Sequence, residues 1–106
     1  MKIPLPHLGY SVYIEDITKY NGKGKDKTFL ENAEMFVESL DDHSSIMWIT
    51  YPVEKEDIPT IAHETVHVLN NICKARLMTF ENEEEHMAYI MQYILNAIIG
   101  RNYWKK

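Results

Sequence analysis

The sequence predicts an α+β domain in which a small, antiparallel-dominated sheet packs on two helices. Three observations carry that expectation. Residues 10–17 (YSVYIEDI) and 46–51 (IMWITY) are dense in aromatic and β-branched side chains, the composition of strands. Two later stretches space their apolar residues at the helical period. A chain of 106 residues makes one domain, 1–106, with a modest core.

Taken in order, the leader containing Pro4 and Pro6 is expected to be extended, and residues 10–17 form the first strand. The basic cluster from Lys19 to Lys27 is broken by Gly22, Gly24 and Asp26 and reads as a loop, with a minor prospect of a phosphate or partner contact. Residues 29–40 suit helical spacing (Leu30, Ala33, Phe36, Val37, Leu40) as well as strand alternation. Their neighbour decides. The polar turn Asp41-Asp42-His43-Ser44-Ser45 leads into a strong strand, so a hairpin of 33–40 with 45–51 is expected.

Pro52 and the charged run 54–57 end the sheet. Asp57 is a candidate N-cap and Pro59 fits a first helical turn, which starts a helix over 58–75. A second helix is expected over 82–99, capped by Asn82 or Thr79, with Glu83, Glu84 and Glu85 favourable to its dipole. Met87, Ile90, Met91, Ile94, Leu95 and Ile98 give it an apolar face, and Gly100 is a natural C-terminal cap. The tail 101–106 is expected over the surface, with Tyr103 and Trp104 packing back or touching a partner.

A formal charge of -5 argues against nucleic acid as the main partner, because phosphate binding needs clustered Lys and Arg. A single cysteine excludes an internal disulfide framework and fits a reducing compartment. No secretory signal is visible in Met1-Lys2-Ile3-Pro4-Leu5-Pro6, and the most apolar stretch, 87–99, is too short to span a bilayer and contains Gln92 and Asn96. A soluble, cytoplasmic protein with no membrane contact is the expectation; oligomeric state is left open.

The chemistry lies in Ile61-Ala62-His63-Glu64-Thr65-Val66-His67-Val68-Leu69. Two histidines four apart share one helix face, about one turn from each other. From there both imidazoles can reach one tetrahedral ion, and zinc accepts neutral imidazole nitrogen readily. Glu64 sits beside such an ion, where a carboxylate can take a proton from a water on it. The uncharged residues in and around the motif suit a helix buried under a metal site. An ordinary amphipathic helix with two partly buried histidines would show the same residues.

This is the His-Glu-x-x-His signature, and with it the chain resembles the zincin superfamily of zinc peptidases. A catalytic zinc needs one more protein ligand and an open position. Cys73 stands six after His67, where metzincins carry a third histidine, but Asn70 replaces the glycine that breaks their helix. His86 is a second candidate. A third is a glutamate at the head of the next helix, as in gluzincins. Asn82-Glu83-Glu84-Glu85-His86-Met87-Ala88-Tyr89-Ile90 looks like the corresponding helix of small phage-encoded zincin-like proteins, which places the ligand three residues before an alanine. The resemblance thus implies Glu85, with Glu84 as rival by its place on the helical wheel.

A leading Tyr-x-Val-Tyr strand, a hairpin ending in a Met-Trp strand and a proline before the motif extend the resemblance over most of the chain. It implies a zinc-dependent peptidase with Zn2+ on His63, His67 and Glu85, Glu64 as general base, and an extended peptide or protein substrate added to an edge strand. The strand at 45–51 or its hairpin partner is the candidate edge. Tyr89, His43 and Tyr51 are weak candidates for oxyanion stabilisation. Two other readings are open at this stage: a zincin-like metal-binding fold that works by engaging a protein partner, and a metal-free domain with a chance motif.

Overall fold

Alternation along Tyr10, Val12 and Ile14 gives the second strand one apolar face, and all three side chains are buried. A computed structural model of the chain describes residues 1–20 and 35–100. The expected start of the hairpin at 33–34, the basic loop from 21 onward and the tail 101–106 lie outside them. Four strands form one mixed sheet: β1 (Lys2–Leu5), β2 (Tyr10–Asp16), β3 (Phe36–Asp41) and β4 (Ser44–Ile49), in the order β1-β2-β4-β3. Two outer pairings are antiparallel and the central one, β2 with β4, is parallel. Two helices, α1 (Ile58–Arg76) and α2 (Glu84–Ile98), complete the α+β fold.

The leader is more than extended. Lys2–Leu5 pairs with β2 along its length, and Ile3 and Leu5 enter the core. Pro4 is tolerated because β1 is an edge strand, where a missing N–H need not meet a neighbour. Ser45, Met47 and Ile49 of β4 point to the same buried layer as Val12 and Ile14. Ile61, Val68, Leu69 and Ile72 of α1, with Met87, Ile90, Ile94 and Ile98 of α2, close it from the other side. Those α2 positions follow the helical period predicted for them.

The hairpin turn is tighter than its polar run suggests. Asp41 pairs with Ser44, and a register shift between Ser39 and Asp41 leaves Leu40 exposed. The Asp41 carboxylate accepts bonds from the His43 backbone N–H (2.7 Å) and the Ser44 hydroxyl (2.9 Å). These bonds hold its pKa below the ordinary aspartate value.

Three expected caps differ. Asp57 precedes α1 without capping it through its side chain; instead it accepts from the Glu54 N–H in a reciprocal box with Glu54 over the preceding single turn. Glu83, not Asn82 or Thr79, is the residue before α2, and the Thr79 hydroxyl serves the Asn82 N–H in the linking turn. Gly100 has no left-handed backbone, whereas Leu77 does, ending α1 with φ 56°.

Arg76, in the last turn of α1, ties the helix to the sheet. Its guanidinium donates to the carbonyls of Leu8 (2.7 Å) and Gly9 (2.9 Å) and meets His43 Nδ1 at 3.2 Å. Gly9 takes a left-handed turn (φ 60°) between β1 and β2, which leaves its carbonyl within that reach. No helix among the described residues is long and apolar enough to cross a membrane.

Candidate metal centre

Helix α1 runs unbroken for 19 residues, and its Pro59 sits in the first turn as expected. Ile61, Thr65, Val68 and Ile72 turn into the core, so the opposite ridge, His63, His67, Asn70 and Lys74, is left to solvent. Thr65 meets the cost of burial by donating to the Ile61 carbonyl one turn back, at 2.7 Å. His63 and His67 stand edge to face, ring centroids 5.2 Å apart. The His63 side chain is 69 % exposed, and its Nε2 lies 3.9 Å from the Glu64 carboxylate. Glu64 itself is buried against the sheet side of the helix.

A cleft of about 490 Å3 separates this part of α1 from β3. Glu64, His67, Asn70 and Lys74 line the helix wall, and Val37 and Ser39 line the strand wall. Among the described residues β3 is an edge strand, with no described strand paired to its outer row of backbone N–H and C=O groups, the kind of edge that can take an added strand. β4, the other candidate, is bonded to β2 on one side and β3 on the other and has no edge to offer. Beneath the cleft the Asn71 side-chain amide donates to Ser45 Oγ (3.0 Å), which also bonds the Tyr10 hydroxyl (2.6 Å). That chain links α1, β4 and β2, and desolvation in it raises the Tyr10 pKa despite the Ser45 bond. Asn70, Asn71 and Lys74 were not among the sequence candidates. Their spacing of three, four and seven residues from His67 is the signal that marks them.

The proposed third ligands are distributed differently. Cys73 is buried in the core with Sγ 3.7 Å from Met87 Sδ, away from the exposed histidine ridge. His86 meets His7, Nε2 to Nε2, at 3.1 Å. Glu84 and Glu85 are exposed on the first turn of α2. Since Met87 lies against Cys73, that turn sits opposite a point six residues past His67, about 9 Å along the axis at 1.5 Å per residue. Among the described residues, no three His, Cys, Asp or Glu side chains gather where they could hold one ion. His63 thus neighbours both His67 and Glu64 on α1, while Glu85 stands on the first turn of α2.

The oxyanion candidates also fall elsewhere. His43 contacts Arg76, Tyr51 is exposed beyond β4, and Tyr89 lines a different cleft with His7 and His86. No family model, curated protein or solved structure matches the chain. Two imidazoles on successive turns of one face fit two corners of a tetrahedral zinc, with a buried carboxylate beside them.

Proposed function

We propose that the chain is a zinc-dependent peptidase whose ion is held by His63 and His67. The observation that carries the reading is the cleft between α1 and the edge strand β3, with Glu64 and His67 on one wall. Zinc bound there would polarise a peptide carbonyl and acidify water. An extended peptide would add to β3 through main-chain bonds, which sets its scissile carbonyl along the helix wall. Glu64, buried but open to the cleft, would take the proton of the attacking water and return it to the leaving amine. Glu85 is the third ligand that the resemblance implies. It stands on a different helix from the pair, and substitution tests whether it joins them.

A second reading rests on Glu85 standing on a different helix from the histidines. In it the zincin-like fold holds metal without hydrolysis and engages a protein partner. Glu64→Gln distinguishes the two. It keeps shape and removes the base, so zinc affinity is expected to persist while peptide hydrolysis falls by about 10²–10⁴. Hydrolysis unchanged in Glu64→Gln overturns the peptidase reading. Zinc affinity unchanged in both Glu85→Ala and Glu84→Ala removes the glutamate ligand.

A further inference from the structure

We infer that His7 and His86 form a second transition-metal site, separate from the motif helix. The two residues are 79 apart in sequence and come from different elements: His7 from the single turn Pro6–Leu8 that follows β1, His86 from the first turn of α2. Their Nε2 atoms face each other at 3.1 Å, with ring centroids 5.3 Å apart and planes tilted by 38°. Without metal, one ring donates its Nε2–H to the lone pair of the other, and a cation that takes the place of that proton would be held by both lone pairs. A tetrahedral ion with Zn–N bonds of about 2.0–2.1 Å holds two ligands roughly 3.3–3.4 Å apart, so a few tenths of an ångström of opening admits it.

Glu83 supports the same assignment from behind. Its carboxylate lies 3.5 Å from Nδ1 of His86, on the side that favours the Nδ1–H tautomer and leaves the Nε2 lone pair free. A carboxylate behind a histidine in this way orients metal-ligating imidazole and raises its basicity. The approach is open, because both rings border a cleft of about 410 Å3 lined by Pro4, Pro6, Tyr89 and Tyr93. That cleft shares no lining residue with the one beside Glu64 and His67. Two imidazoles with water in the remaining positions select zinc, copper or nickel ions over magnesium or calcium. Bound there, the ion would join the β1 turn to α2, and ligation would stabilise the folded chain.

The test uses the full chain carrying His63→Ala and His67→Ala, so that it does not depend on the proposed peptidase site. Titration with zinc chloride, followed by calorimetry and by the melting temperature, is expected to show one saturable site and a rise in Tm. Adding His7→Ala or His86→Ala should weaken binding at least tenfold and abolish the rise; Glu83→Gln should weaken it by about 10–100-fold. Melting curves without metal check that each variant folds, and His86→Gln replaces His86→Ala if the latter does not. No saturable binding in the double-alanine chain overturns the site, as does binding that survives both His7→Ala and His86→Ala.

Discussion

Cys73 Sγ lies 3.7 Å from Met87 Sδ, a buried contact between α1 and α2. Burial first, and the nearby Glu83 charge second, push the Cys73 thiol pKa up. The thiolate is the reactive form, so a disulfide reagent at neutral pH is expected to modify Cys73 only at the rate of unfolding. Cys73→Ala should leave zinc affinity unchanged, whereas Met87→Ala should destabilise the fold by about 2–5 kcal/mol. Fast modification of the native protein, or zinc affinity lost with Cys73, would contradict this placement.

Leu77 is 95 % exposed and holds φ at 56°, so its side chain contributes strain at the end of α1 and little packing. A left-handed residue with a Cβ costs roughly 1–2 kcal/mol, part of which glycine returns as lost chain entropy. Leu77→Gly is therefore expected to stabilise the domain by about 0.5–1 kcal/mol in urea denaturation, and Leu77→Ala not at all. A loss of stability in Leu77→Gly would show that the leucine packs in solution.

β2, β4 and both helices were legible because each writes its burial into a period of its own. β1 was not, because Pro4 is a strand breaker everywhere except on an edge, and edges are fixed only when the sheet is assembled. The parallel pairing of β2 with β4 is likewise a long-range fact with no local mark. That His63, Glu64 and His67 share one helix was legible from their spacing. Where Glu84 and Glu85 stand relative to them was not, since that depends on how far α1 runs before α2 packs on it. Nor was the meeting of His7 with His86, which is made by tertiary packing alone.

Asp41 predicts an acid dependence. Its folded pKa is depressed by the bonds from His43 and Ser44, so it stabilises the hairpin above the ordinary aspartate value of 3.8. That contribution is lost as pH falls below that value and through the lower folded pKa. Melting temperatures of the wild type and Asp41→Asn, measured from about pH 6 to about pH 2.5, are expected to differ most at the upper end and to converge in acid. A gap that does not change with pH would contradict the carboxylate's role.

The central claim is that His63 and His67 converge on one ion. Crystals grown with zinc and measured on both sides of the zinc absorption edge test it most directly. The account predicts an anomalous peak about 2.0–2.1 Å from a ring nitrogen of each histidine, beside Glu64 and open to the β3 cleft. Zinc-saturated crystals with no anomalous peak between His63 and His67 would contradict it.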